Sequence, residues 1–279
     1  MISPGDAAWL LPTAVEAWKG RKEIQDVWSR LLARVFGKSF RLAFTGMAGA
    51  GKTVLFQHIT GAAYKAGYKP PLTSQASESG AILSPGRKIA LTVVPGQGSA
   101  PRFEAIDALF LGEEPVDGVI HVVSNGFVSL RTRDAQRQLI NDNGLVKVDH
   151  YLDFQRRQEI VDLAETCDLI RQSMRKHRKP SWMVVAVSKV DLYYSQLSKA
   201  ESYYSPTGEG AFVDRIRQLE GQVGSDNFRW TARPACGWLE DFVWNEEIVA
   251  SSFKPQGRDH YISSLVETIE SYSTGVSGI

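Results

Sequence analysis

At 279 residues with 43% hydrophobic side chains, the chain can bury a sizeable core as one large domain, or as one domain with additions. A formal charge of +1 excludes the electrostatic footprint of a nucleic-acid binder, so no nucleic-acid partner is expected. Cys167 and Cys236 are the two cysteines; they exclude a disulfide framework and fit a cytoplasmic setting, and no run approaches the about 18 apolar residues of an integral membrane segment.

Residues 1–38 read as an N-terminal extension in which Ile24, Val27, Trp28, Leu31, Leu32 and Val35 recur at helical spacing. That amphipathic helix packs on the domain's own flank or, alternatively, docks a partner or a membrane surface. Met1–Asp6 lacks the basic region and apolar core of a secretory leader, and residues 273–279 hold no cysteine for prenylation. Residues 39–279 form the main domain. Phe40–Phe44 is an apolar strand that runs into Gly46-Met47-Ala48-Gly49-Ala50-Gly51-Lys52-Thr53, a G-x-x-x-x-G-K-T pattern, and Val54–Ile59 leaves it in helical spacing. Strand, glycine loop and helix in this order make a phosphate-binding loop. The backbone of Gly46, Gly49, Ala50 and Gly51, with Val54 on the helix N-terminus, is expected around the phosphates. Lys52 reaches the outer phosphates and the Thr53 hydroxyl ligates Mg²⁺.

Lys69–Gly80 is rich in Ser, Pro and Gly and reads as a mobile loop. Lys88–Val94 is a strand followed by Pro95-Gly96-Gln97, and Val116–Ser124 is the next buried strand. Residues 125–181 exceed what one crossover helix needs. Asn141–Gly144 marks a turn there, and Ile160, Leu163, Ala164, Cys167, Ile170 and Met174 mark the buried face of a helix. Its basic end, Arg175–Lys179, complements the helix C-terminus. Trp182–Val187 is a further buried strand and delivers Ser188-Lys189-Val190-Asp191. Tyr193, Tyr194, Tyr203 and Tyr204 form either a partner surface or a cover for the sheet edge. Phe212, Ile216 and Leu219 mark a helix, Phe228–Gly237 the last strand with its loop Pro234-Ala235-Cys236, and Tyr261, Ile262, Leu265, Val266 and Ile269 a closing helix. The alternation of strands and helices predicts an α/β fold, a mostly parallel sheet with helices on both faces.

The order of the glycine loop, Pro95-Gly96-Gln97 and Ser188-Lys189-Val190-Asp191 resembles a Ras-like small GTPase (G protein) domain of the P-loop NTPase superfamily, with insertions, over about residues 40–272. The resemblance implies a guanine-nucleotide switch that uses GTP, GDP and Mg²⁺ and answers to a protein effector or activating partner. Under it Asp191 accepts hydrogen bonds from the guanine N1–H and amino group, the Lys189 stem lies along the purine face, and Ser188 stands where the family more often has Asn. A backbone N–H near Ala235, in the loop Pro234-Ala235-Cys236, meets the guanine oxygen. The Gly96 N–H meets the γ-phosphate and Gln97 orients the attacking water, making Gln97 and Lys52 the expected catalytic residues. Thr73 joins Thr53 at the metal, with Ser77 and Ser79 as alternatives. Val93 departs from the family, standing where its Asp supports Mg²⁺. Three functions follow: a switch with slow, partner-dependent hydrolysis; a non-hydrolysing guanine-nucleotide module acting as a scaffold; or another P-loop ATPase or kinase, against which S-K-V-D argues.

Overall fold

The computed structural model describes residues 26, 29, 40–64, 68–71, 78–84, 87–95, 100–130, 132–253 and 255–274. Six strands make the main sheet: β1 (Phe40–Thr45), β2 (Glu78–Ser84), β3 (Arg87–Val93), β4 (Gly118–Val123), β5 (Trp182–Val187) and β6 (Arg229–Pro234). Their spatial order is β2-β3-β1-β4-β5-β6, parallel throughout except for the β2–β3 pair. Every residue of β4 and β5 is buried. Strands covered on both faces show continuous apolar runs instead of alternation, which is how Trp182–Val187 reads from end to end.

The helices described are α1 (Lys52–Ile59), α2 (Ala100–Ile106), α3 (Arg133–Asn143), α4 (Val148–His177), the single turn α5 (Val190–Tyr193), α6 (Leu197–Tyr204), α7 (Ala211–Val223) and α8 (Pro255–Thr274). Period-2 alternation sends Leu42 and Phe44 of β1 to one face, where they meet Leu55 and Ile59 of α1 and Ile262, Leu265 and Ile269 of α8. Ala43 points to the other face, into a core with Leu163 and Ile170 of α4, Tyr204 of α6 and Phe212 and Ile216 of α7. Each fully buried aliphatic or aromatic side chain contributes about 1.5–3 kcal/mol, so these two cores outweigh local propensity in setting the register. The mostly parallel α/β sheet with helices on both faces agrees with the sequence reading.

The differences lie where no apolar pattern exists. β2 contains Ser79, Gly80 and Ser84 and begins at Glu78, inside the stretch read as loop; its antiparallel pairing with β3 supplies the order that its composition does not. α3 has no fully buried residue, and its few apolar side chains, Leu139 and Ile140, pack on the core only partly buried; it starts at a Thr132 cap, whose hydroxyl accepts from the Ala135 N–H at 3.1 Å, and stops at Gly144 with φ 65°. A second, two-stranded sheet, β7 (Phe242–Trp244) and β8 (Glu247–Val249), turns through Asn245 and Glu246, with Asn245 at φ 53°. α4 runs 30 residues, about 45 Å, with Leu163, Cys167, Ile170 and Met174 buried as read and Ile160 and Ala164 only partly so. Its last turn carries Arg175, Lys176 and His177, and Lys176 Nζ donates to the Leu111 carbonyl at 2.7 Å. The apolar residues read as the N-terminal amphipathic helix, from Ile24 to Val35, lie outside the described residues. Among the described residues no helix is long and apolar enough to cross a membrane.

His58 of α1 is 1% exposed and sits edge-on to Tyr64 and Tyr68, with ring centroids 5.4 and 5.9 Å away. Burial, assisted by Arg258 and opposed by a Gly237 backbone contact, lowers its pKa to about 4. The unfolded chain therefore binds the extra proton first, and stability present above about pH 6.5 is lost as pH falls toward 4. Between pH 7 and 4.5 this one group should remove roughly 2–3 kcal/mol. Urea unfolding across that range should show a shallower acid loss for His58→Phe than for the wild type; equal slopes would contradict the assignment.

Candidate functional site

β1, β3 and β5 end at a cleft of about 340 Å³, the place where open α/β sheets receive ligands. At one end lies the glycine loop. A Cβ on Gly46 (φ 123°) would stand 2.1 Å from the Val122 carbonyl oxygen, and one on Gly49 (φ 80°) 2.2 Å from that of Ser129. Only glycine lets the loop lie this close to the end of β4 and the segment after it. α1 then begins behind Gly51, which provides no side-chain cap. The first-turn N–H groups of a helix have no intrahelical acceptor, and the helix dipole adds partial positive charge there. Lys52 Nζ, on a side chain only 6% exposed, donates to the carbonyls of Gly46 at 2.7 Å and Met47 at 2.8 Å. Backbone donors and a held ammonium make this end an anion site.

The other end is built from β5. The Ser188 hydroxyl donates to the Ala50 carbonyl at 2.5 Å, and its N–H to the Val123 carbonyl at 2.7 Å, so one short side chain joins the two motifs. Lys189 takes a left-handed conformation (φ 59°) that opens α5. Its Nζ donates to the Phe127 carbonyl and to Ser129 Oγ at 2.7 Å, and burial lowers its pKa to about 8 against the pull of Asp191, Glu240 and Glu159. Asp191 is 2% exposed. Its Oδ1 accepts from the Cys236 thiol at 3.3 Å and its Oδ2 from the Ser251 hydroxyl at 2.6 Å. Burial pushes this carboxyl pKa up, while Ser251, Cys236, its own backbone and Lys189 hold it back.

Between the ends runs the segment after β4. Glu159 of α4 is fully buried, and its Oε1 accepts from the N–H of Ser124 at 2.8 Å and of Gly126 at 3.2 Å; its Oε2 accepts from Tyr204 at 2.6 Å. The turn so held presents Phe127 and Ser129 to Lys189, and the Ser129 N–H to the Gly49 carbonyl at 3.2 Å.

Gly49, Gly51, Lys52, Thr53, Val54, Ser188, Lys189 and Asp191 thus line one cleft, with Gly46 and Ala50 supporting it from behind. Three sequence expectations need correction. The Ala235 N–H donates to the Val187 carbonyl at 2.8 Å as part of the sheet ladder, so it is not available to a ligand. Cys236 is fully buried and does not line the cleft; its thiol meets two groups that do, Asp191 and the Trp238 carbonyl, leaving Gly237 and Trp238 to form that wall. Ser79 sits on β2 with its hydroxyl 3.4 Å from Thr92 Oγ1, on the face opposite Val93, and so cannot join Thr53. Gly96, Gln97, Thr73 and Ser77 lie outside the described residues.

Several contributors were not read from the sequence: Pro70 and Pro71, Ser129 and Leu130, Trp238 and the run Glu240–Phe242. One signal was available, since Glu159 stands four residues before Leu163, a charged residue on a buried apolar stripe. Val93 lines the cleft, is 1% exposed and offers no lone pair. Among the described residues no group of three or more His, Cys, Asp or Glu could cage a metal. Thr53 lines the cleft with a hydroxyl, and this donor set fits a magnesium ion carried by phosphate oxygens and water, with Thr53 as its protein ligand.

No family model matches the chain, and no curated protein does. Among solved structures, Toc33 from Arabidopsis thaliana in complex with GDP and Mg²⁺ is 13% identical, with 93% of this chain and 97% of that one covered and a TM-score of 0.49. The mammalian SRP receptor is 14% identical over 71% of this chain and 91% of its own, with a TM-score of 0.35. The G domain of the T. maritima FeoB iron transporter is 17% identical over 72% and 89%, with a TM-score of 0.32. At that distance the geometry of the cleft itself remains the ground for its chemistry.

The Ser188–Ala50 bond is a neutral one, worth about 1 kcal/mol. Ser188→Ala should lower unfolding stability by that amount and speed amide hydrogen exchange in Ala48–Gly51 more than elsewhere. Unchanged exchange in that loop would show that Ser188 does not hold it.

Proposed function

We propose that the protein is a Ras-like guanine-nucleotide-binding switch, holding GTP and GDP with the phosphates on the glycine loop and the base against Asp191. One observation carries the reading: a buried carboxylate, Asp191, lines the same cleft as Lys52 and the first turn of α1. Guanine offers an N1–H and an amino group side by side, and a carboxylate with lone pairs toward the cleft accepts both. Adenine has no such donor pair and would leave the buried charge unmatched, which costs more than the pair itself contributes. The Lys189 stem, which lines the cleft with its Nζ held on the Phe127 carbonyl, forms the bed for the purine.

Magnesium, when bound with the nucleotide, neutralises phosphate charge. Thr53 would hold it, Thr73 being the proposed second hydroxyl. Gln97 is the proposed residue that orients water for hydrolysis. Phosphoryl transfer depends on positioning and charge neutralisation, and Val93 withholds one acceptor from the metal's surroundings. Hydrolysis is accordingly slow and completed by a protein partner in the cytoplasm. The same valine favours a second reading, a module that holds guanine nucleotide without hydrolysing it. Single-turnover assays separate the two: the switch hydrolyses bound GTP slowly, the module not at all.

Charge-assisted hydrogen bonds to phosphate contribute about 1.5–3 kcal/mol, so Lys52→Ala should weaken GTP binding by roughly 10- to 150-fold in calorimetry. Undiminished affinity would remove the phosphate assignment. Asp191→Asn should weaken GTP and favour xanthosine triphosphate, because an amide donates to the xanthine oxygen that a carboxylate repels. Equal competition by ATP and GTP for the wild type would refute the base assignment.

A further inference from the structure

The strap that joins β8 to α8 brings hydroxyl groups to Asp191 from about 60 residues downstream. Ser251 Oγ donates to Asp191 Oδ2 at 2.6 Å, while the Ser252 N–H and hydroxyl donate to the Asp191 backbone carbonyl at 3.1 and 2.5 Å. The strap is itself fixed. The Ser251 N–H donates to Asp241 Oδ1 at 2.8 Å, and Phe253 stacks on Tyr261 at 5.5 Å and meets Tyr194 edge-on at 5.2 Å. Upstream, Trp244 stacks on Tyr151 at 3.7 Å and its indole N–H donates to the Leu145 carbonyl at 2.7 Å.

We infer that Ser251 is a specificity-determining residue that positions the Asp191 carboxylate for the base edge; this rests on the guanine reading. A carboxylate offers about four acceptor positions on its two oxygens. Ser251 takes one on Oδ2 and Cys236 one on Oδ1, so the plane of the group is set from behind and each oxygen keeps a position for the cleft. The hydroxyl acts only through Asp191. It stabilises the charged form and stops the group from turning about its own axis. Guanine uses two donors against that plane, hypoxanthine one and adenine none, so loss of alignment costs the three bases unequally.

Diphosphate binding by the intact chain tests this, using GDP, inosine diphosphate and ADP in parallel calorimetric titrations. Ser251→Ala should lower the preference for GDP over inosine diphosphate by roughly threefold to tenfold, the fold-change expected for one mis-set hydrogen bond. ADP binding should stay as in the wild type, and Ser251→Thr, which keeps the hydroxyl, should restore the preference. An unchanged GDP-to-inosine-diphosphate ratio in Ser251→Ala, or equal losses for all three nucleotides, overturns the inference while leaving the guanine reading in place. If Ser251→Ala does not fold, the near-isosteric Ser251→Cys carries the test: its weaker donor should give a smaller fall in the same ratio, and a wild-type ratio overturns the inference. A wild type that holds GDP no better than ADP removes the guanine reading and this inference together.

Discussion

The site depends on one buried charge that never touches it. Glu159 enters from α4, fully enclosed, and burial alone drives its carboxyl pKa upward. The N–H groups of Ser124 and Gly126 and the hydroxyls of Tyr204 and Ser124 oppose that shift by bonding the anion. In return the carboxylate satisfies the Ser124 and Gly126 donors of the turn after β4. Asn125 at φ 50° and Gly126 at φ 84° give that turn its shape, and a Cβ on Gly126 would meet the Leu152 carbonyl oxygen at 2.5 Å. Removing the acceptor would leave buried donors unmatched, at about 1–3 kcal/mol each. The turn in turn holds Lys189 and the back of Gly49, so both ends of the cleft inherit their geometry from it.

Two segments that look like decoration in the sequence are part of this support. The long stretch between β4 and β5 brings α4, with Glu159 and Tyr151; the stretch after β6 brings the β7–β8 hairpin, with Phe242 and Trp244. They meet through rings. Phe242 lies against both Phe127 and Tyr151, and Trp244 covers Tyr151, whose hydroxyl donates to the Val128 carbonyl at 2.5 Å. Aromatic pairs of this kind add about 0.5–1.5 kcal/mol each beyond the area they bury. The additions therefore brace the Asp191 end of the cleft from two sides, while the helix behind the glycine loop is packed by rings of its own, His58 against Tyr64 and Tyr68 and Tyr68 against Trp238.

The two ends differ in how far they could be read from the sequence. The phosphate end is made by backbone, and backbone demands show as glycines at fixed spacing followed by Lys52 and Thr53. Trp182–Val187 and the stripe through α8 were legible because burial on both faces, or on one helical face, imposes an apolar period. The Asp191 end is made by side chains from distant segments: Ser251 has no local pattern to announce it, and the paired tyrosines that include Tyr204 point to a surface or an edge, not to Glu159. β2 and α3 escaped for the same reason, since neither has an apolar face whose period would mark it. At the loop after β6, hydrogen-bond accounting narrows the expectation: the Ala235 N–H is spent on the β5–β6 ladder and cannot itself serve a ligand.

Val93 shows how core and site compete for one position. Its side chain lies at the end of β3, in a cluster with Leu42, Phe44, Leu91 and Ile120, and also borders the cleft. A carboxylate there would face apolar neighbours on one side, and an unpaired buried charge costs several kcal/mol unless a cation or donor meets it. Valine avoids that cost and adds the burial of a branched side chain, at the expense of one oxygen near the metal. The consequence falls on the ligand. Under the proposed function a cation at Thr53 would draw its remaining coordination from phosphates, water and the proposed Thr73, which ties its retention to the phosphate chain that brings it.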